Sequence, residues 1–310
     1  MEFIKGFTFG WLSRRGDFLK PEAKESLRKL KERTASNYVI ISLAALQDTA
    51  FSTEIDFTGP HMVRDDELIS MIRFAKELGL KVILKPTVNV RDGTWRAHIS
   101  FFDIDVPGEP TWTEWFKSYT AYQLHYARIA EAEDVEMFIV GCEMVQAERR
   151  ADEWRQLILE VRKVYSGLIT YNTDKYQEDQ VKWWDAVDVI SSSGYYPIDD
   201  WDRQLDRIEK VVKQYNKPFF FAETGCPSRK GSSLRPNNWR HKGEVDVLEQ
   251  AEFYKVMFAK TRKRPWVQGY GLWDWSAILY DEKDALTDDG YGVYGKPAEK
   301  VIYNFYSSIK

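Results

Sequence analysis

"KPFFFAETGCPS", Lys217 to Ser228, runs three phenylalanines and an alanine straight into a carboxylate, Glu223. An acidic group at the end of a buried run costs stability unless it is paired, hydrogen-bonded or solvated. The same arrangement occurs earlier in "EMFIVGCEMV", where Met137 to Val140 leads through Gly141 and Cys142 into Glu143. Outward from these two stretches, comparable apolar, β-branched or aromatic runs recur until there are eight. The others begin at Phe3, Tyr38, Lys81, Gly167, Val187 and Val267, and each reads as a buried strand.

Charged segments of helical period lie between them, among them Pro21 to Thr34, Arg64 to Gly79, Ala151 to Tyr165 and Asp202 to Tyr215. Pro21 suits a first turn, Asp65 and Asp66 suit the positive end of a helix dipole, and Gly79 suits a C-terminal stop. Eight strands alternating with helices, without a linker or low-complexity tract, predict an α/β fold of the (β/α)8 TIM barrel type. Residues 1–310 then form a single catalytic domain. The fifth crossover is the weak point, because "KYQEDQVKWWDA", Lys175 to Ala186, is barely long enough for a helix.

The composition narrows the function. With 48 acidic and 44 basic residues mixed along the chain, there is no basic stripe for nucleic acid or anionic membrane. No segment approaches the length of a membrane span, and "MEFIKGFTFGW" lacks a basic region followed by an apolar stretch, so the expected location is cytoplasmic. Cys142 and Cys226, the two cysteines, fit a reducing compartment. His61, His98, His125 and His241 are scattered, so neither a metal nor another cofactor is expected. The stretch "CPSRKGSS" after the seventh strand is a weak phosphate signal that equally suits a sugar subsite.

In a barrel of this kind the active site lies at the C-terminal ends of the strands, where Glu143 and Glu223 end the fourth and seventh. If alternation is unbroken, Ile139, Gly141 and Glu143 share one face, as do Phe219, Phe221 and Glu223. Both glutamates then point into the mouth if those faces are interior. A single strand-end glutamate is ordinarily a surface ion-pair partner; matching positions on strands four and seven favour a functional pair. Two carboxylates about 5–5.5 Å apart suit a retaining glycosidase.

An acid/base on strand four, a nucleophile on strand seven and a tryptophan on strand eight form the pattern of the clan A glycoside hydrolases. The chain resembles glycoside hydrolase family 113, whose known members are mainly β-mannanases. The resemblance runs from "KGFTFGW" through "GCEM" and "FAETG" to "GLWDW". It implies a retaining hydrolase of β-linked oligosaccharides, most readily β-1,4-mannosides, with Glu143 as acid/base and Glu223 as nucleophile. Trp273 then lies under the sugar being cleaved, and Tyr195 or Tyr196 hydrogen-bonds the nucleophile. One residue departs from the pattern: many clan A enzymes carry asparagine before the acid/base, where this chain has Cys142, a poor donor.

Among twelve tryptophans, Trp11 after strand one and Trp273 are the sugar-platform candidates, because aromatic faces pack on sugar rings. Trp154, Trp183, Trp184 and Trp201 are expected in core or interface packing, and Trp275 in a loop beyond Trp273. Asn89 and Asn172, near the ends of strands three and five, offer amides to sugar hydroxyls or serve turns. "RDGTWR", Arg91 to Arg96, reads as a loop over the mouth with solvated arginines. The alternatives are a catalytically inactive sugar-binding barrel and a β-glycosidase or xylanase of different specificity. The oligomeric state is not legible.

Overall fold

The computed structural model describes residues 1–309. Eight parallel strands close into a barrel in sequence order: β1 (Ile4–Phe9), β2 (Tyr38–Gln47), β3 (Lys81–Val90), β4 (Met137–Cys142), β5 (Leu168–Thr173), β6 (Val189–Ser193), β7 (Phe219–Thr224) and β8 (Val267–Trp275). Pairing of β1 with β8 completes the cylinder. The outer layer is α1 (Pro21–Thr34), α2 (Asp65–Glu77), α3 (Trp112–Ala132), α4 (Ala151–Arg162), α5 (Trp201–Tyr215), α6 (Val247–Thr261) and α7 (Pro297–Ser307). Pro21 occupies the first turn of α1, and Asp65 and Asp66 that of α2. Gly79 follows α2 with φ +75°, a conformation that favours glycine. The fifth crossover carries no α-helix: after β5 the chain forms only a short 3-10 turn at Trp184–Ala186 before entering β6.

The core has two compartments. Helix-facing side chains of the strands join the helices in one large cluster, which includes Trp154, Trp183, Trp184 and Trp201 as expected. Inside the cylinder lie Ile4, Tyr38, Ile40, Ile83, Met137, Ile139, Val189, Phe220 and Ala222. Gly271 lets this inner layer close, since a Cβ there would meet Ile40 Cδ1 at 2.1 Å. Toward the C-terminal ends of the strands the buried set turns polar, with Lys85, Asn172, Ser193 and Glu223.

Strand alternation alone does not place the glutamates. Phe219 and Phe221 face outward, with ring centroids 5.3 Å from Trp266 and 5.5 Å from Trp201, so the interior face of β7 is the opposite of the expected one. Bulges near the strand ends change the direction: the one on β7 turns Glu223 inward, while Gly141 in the one on β4 and Trp275 at the end of the one on β8 face outward. Between Ile139 and Cys142, β4 advances three residues while β5 advances two. Between Phe221 and Glu223, β7 advances two while β6 advances one. Between Leu272 and Trp275, β8 advances three while β1 advances two. An extra residue in one strand breaks the period of two and re-aims the side chains beyond it.

The β4 bulge shows how the sequence supports this. Gly141 faces outward, because a Cβ there would lie 2.8 Å from Trp154 and 2.9 Å from Tyr171. Tyr119 donates its hydroxyl to the Val140 carbonyl at 2.9 Å. The Met144 backbone amide donates to the Tyr171 hydroxyl at 2.9 Å. Backbone groups near the bulge thus find partners in the aromatic layer outside the barrel, as buried polar groups must.

Candidate active site

Glu143 follows β4 with φ +52°, a left-handed conformation uncommon for a side chain of this size. Its amide donates to the Asn172 carbonyl at 2.8 Å, which ties the turn to β5. Ser193 Oγ, at the end of β6, donates to Glu143 Oε1 at 2.8 Å. Oε2 accepts from Arg96 Nη1 and from Trp95 Nε1, each at 3.3 Å. Glu223 is held from other directions: Oε1 accepts from the buried Lys85 ammonium and, at 3.4 Å, from the Cys142 thiol, while Oε2 accepts from Tyr195 at 3.0 Å. The carboxylates share one pocket, since Arg96 Nη1 also reaches Cys142 Sγ at 3.6 Å.

Two buried cations therefore serve two carboxylates. Burial pushes the Glu223 carboxyl up, but Lys85, with help from Arg96 and Tyr195, outweighs it and holds Glu223 below the ordinary range. Burial likewise pulls Lys85 down, yet the acidic groups around it keep it above its ordinary value. Burial drives the Cys142 thiol well up, so it is neutral and acts as a weak donor. Asp174, just beyond β5, is pushed up to about 7 by burial and by the Glu143 charge.

Aromatic rings frame this floor. Trp11 and Trp273 are half-buried and meet edge to face at 5.2 Å. The Arg96 guanidinium lies over Trp11 at 5.3 Å, and Lys85 Nζ over Trp273 at 5.8 Å. Both rings thus border the cations that hold the carboxylates. Trp275 is not a loop residue; beyond the β8 bulge it points outward, and its indole donates to Ser26 Oγ at 3.0 Å.

Several residues behave differently from the sequence expectation. Tyr195 is the tyrosine on Glu223; Tyr196 is fully buried and donates instead to Glu178, so it neither holds the nucleophile candidate nor reaches a ligand. Asn172 is also fully buried. Its Oδ1 accepts from Lys85 at 3.3 Å and its Nδ2 donates to Ser193 Oγ at 3.0 Å, so it links the site beneath its surface rather than meeting a sugar. Asn89 is half-buried and accepts from Arg96 Nη2 at 2.8 Å. Arg96 is not solvated but buried against Glu143.

Lys85, Arg96, Trp95 and Ser193 were missed as site residues. For Lys85 the signal existed: a lysine inside "VILKPTV" must pair within the barrel or be expelled from it. Among the described residues no group of three or more histidines, cysteines and carboxylates could hold a metal ion, and no helix is long and apolar enough to cross a membrane.

Comparison with known proteins gives the family and the fold. The family model for Glycoside Hydrolase Family 113 matches residues 7–296. A solved GH113 β-1,4-mannanase is 71% identical, with a TM-score of 0.99, over 99% of this chain and 100% of that one. The GH113 β-mannanase AaManA from Alicyclobacillus acidocaldarius, solved in complex with ManMIm, is 45% identical, with a TM-score of 0.97, over 100% of this chain and 99% of that one. A β-D-glucuronidase from Dictyoglomus thermophilum, 18% identical with a TM-score of 0.67, shares the barrel over 100% of this chain and 51% of its own. No curated protein matches the chain.

Proposed function

The chain belongs to glycoside hydrolase family 113, and from that premise we propose that it is a retaining β-1,4-mannanase in which Glu143 is the acid/base and Glu223 the nucleophile. The observation that carries the assignment is the different hold on the two carboxylates. Glu223 is gripped by a buried ammonium and a tyrosine hydroxyl, which keep it ionised for attack. Glu143 leaves a strand end by a left-handed turn and meets a partly exposed indole, the surroundings of a group that exchanges protons with a ligand and water.

In the first step a Glu223 oxygen attacks C1 of the sugar. The glycosidic C1–O bond breaks, and Glu143 passes its proton to the departing oxygen. In the second step Glu143 takes a proton from water, the water oxygen bonds to C1, and Glu223 leaves as a carboxylate. Two inversions give net retention. Trp273 supports the ring being cleaved and Trp11 borders it, with contacts of aromatic faces to sugar C–H groups. Asn89, engaged through its oxygen by Arg96, presents its amide nitrogen to a sugar hydroxyl.

The cytoplasm, a reducing compartment, fits two cysteines that are both free thiols. There the substrates are short imported oligosaccharides. Cleavage of long mannan with no action on short β-1,4-mannooligosaccharides would refute that size preference.

Azide separates the two roles. Glu223→Gly lacks the nucleophile, so azide enters from the vacated face and gives a glycosyl azide of inverted configuration. Glu143→Gly still forms the glycosyl-enzyme from an activated aryl β-mannoside, and azide then accelerates turnover and gives the retained β-azide. Proton NMR reads both products. The same anomer from both variants, or inversion by the wild-type enzyme, overturns the assignment.

A further inference from the structure

We propose that Lys296 is a positioning residue for the nucleophile. From behind the mouth it fixes the turn at residues 288–291 against the segment after β7, and the Tyr291 ring in turn holds Tyr195 on Glu223. The role rests on the reading of Glu223 as nucleophile. Lys296 immediately precedes α7, and its side chain is buried. Its Nζ donates to Ser228 Oγ at 2.8 Å, to Asp288 Oδ2 at 2.6 Å and to the Gly290 carbonyl at 3.2 Å, so all three N–H groups are used. Ser228, in the segment after β7, is fully buried; its Oγ donates to the Asp288 carbonyl at 2.7 Å and its amide to the Gly290 carbonyl at 3.0 Å. Beside it Arg229 pairs with Asp289 at 2.7 Å.

The turn ends at Tyr291, which meets the site. Gln250 Nε2 of α6 donates to the Tyr291 carbonyl at 3.0 Å, and the Tyr291 hydroxyl donates to the Pro236 carbonyl. Fixed at both ends, the ring lies edge-on to Tyr195 with centroids 6.1 Å apart, and the Tyr195 hydroxyl donates to Glu223 Oε2 at 3.0 Å. A hydrogen bond weakens steeply as its distance and angle drift, so the ring behind Tyr195 decides how well that bond is made. A buried ammonium bonded to three oxygens is a stiff anchor for the turn. Breaking any of those bonds would leave a charged or polar group without a partner away from water.

The anchor also carries charge. Facing Lys296 are Asp288, Asp289 and Asp274, and burial pulls the ammonium below its ordinary value against their attraction. Asp274 follows Trp273 on β8 and is pushed up to about 6 by burial and by Asp288, with Lys296 opposing. Facing Glu223 are Lys85 from β3, Arg96 from the segment after it, Cys142 and Glu143 at the end of β4, and Tyr195 after β6. Asp274 and Tyr291 complete the set. Of these, Tyr195 and Asp274 answer to Lys296 in opposite senses. A displaced Tyr195 lets the Glu223 carboxyl rise, whereas loss of the Lys296 charge raises Asp274, whose carboxylate then repels Glu223 less.

Lys296→Met, made in the wild type and in Tyr195→Phe, tests the role on an aryl β-mannoside. In the wild-type background kcat/KM should fall about fivefold, a share of what the Tyr195 hydroxyl contributes, and the acidic limb should move to higher pH as Glu223 loses its donor. In Tyr195→Phe the same change should cost less than about twofold and leave the limb in place or lower it, since only the Asp274 effect remains. Equal factors in the two backgrounds, as a general loosening of the fold gives, or an unmoved acidic limb in the wild-type background, overturn the role of Lys296. If Lys296→Met does not fold, Ser228→Ala decides in the same cycle, because it removes the hydroxyl between Lys296 and the Asp288 carbonyl. A loss of about threefold that disappears in Tyr195→Phe supports the role, and equal losses overturn it. Inverted products from the wild-type enzyme, read by proton NMR, would instead overturn the reading of Glu223 as nucleophile, a result that involves neither variant.

Discussion

Replacing Tyr195 by phenylalanine removes a single oxygen from the site and tests how Glu223 is held. The ring itself should stay, because it is buried and packs edge-on to Tyr291 with centroids 6.1 Å apart. What is lost is a 3.0 Å hydrogen bond from the hydroxyl to Glu223 Oε2. A buried hydrogen bond to a charged group is worth about 1.5–3 kcal/mol. If all of it orients the carboxylate for attack, kcat/KM falls about 10- to 150-fold. The carboxylate surrenders charge as it bonds to C1, so part of the bond's strength belongs only to the ground state, and the loss should lie near the lower end.

The pH dependence gives the sharper signature. Burial raises the Glu223 carboxyl, and Lys85, Arg96 and Tyr195 together hold it below its ordinary range. Without Tyr195 it moves upward, so the acidic limb of kcat/KM should shift to higher pH. Stability follows the same sign. A depressed carboxyl contributes stability above its unfolded pKa and loses it as pH falls through the folded pKa, so the Tyr195→Phe penalty in Tm should shrink on acidification. Kinetics on an aryl β-mannoside across pH, with thermal melts in the same buffers, measure both. An unmoved acidic limb with unchanged kcat/KM would refute the argument that Tyr195 holds Glu223.

Trp273→Ala should lower kcat/KM for mannooligosaccharides at least tenfold while leaving Tm nearly unchanged, since the ring is half-buried at the mouth; a large fall in Tm with intact kinetics would return it to the core. Gly141→Ala should cost about 1–3 kcal/mol by chemical denaturation, because its methyl would lie 2.8 Å from Trp154. Activity should fall with it, since Gly141 lies in the bulge that leads into Cys142 and Glu143. Glu148 is pushed up to about 8 by burial, so its protonated form stabilises the fold at low pH and that contribution is lost as pH rises from the unfolded value toward 8. Glu148→Gln should therefore melt higher than the wild type at pH 8 by more than at pH 5. Both thiols are buried and raised, so iodoacetamide at neutral pH should leave the native enzyme active; rapid inactivation would refute their burial.

The sequence by itself determined the barrel and the identity of its two carboxylates. Eight buried runs separated by helical periods leave a closed parallel sheet as the economical way to cover every apolar face, and these strand signals need no long-range information. The carboxylates were legible because an acid at the end of an apolar run is conspicuous wherever the fold sends it. The fifth crossover was legible only as a weak point, barely long enough for a helix, and it holds a 3-10 turn in place of one. Direction was decided by tertiary structure. Period-two alternation put Phe219 and Phe221 inside with Glu223, whereas the rings face the helices and a bulge turns Glu223 in. A bulge arises from a mismatch in register between neighbouring strands, and one strand's sequence does not contain its neighbour's register. The choice of Tyr195 over Tyr196, the burial of Arg96 and the linking position of Asn172 have the same origin. Each depends on which side chains of distant strands converge beneath the mouth, and Lys85 on β3 meets Glu223 on β7 only because the sheet closes.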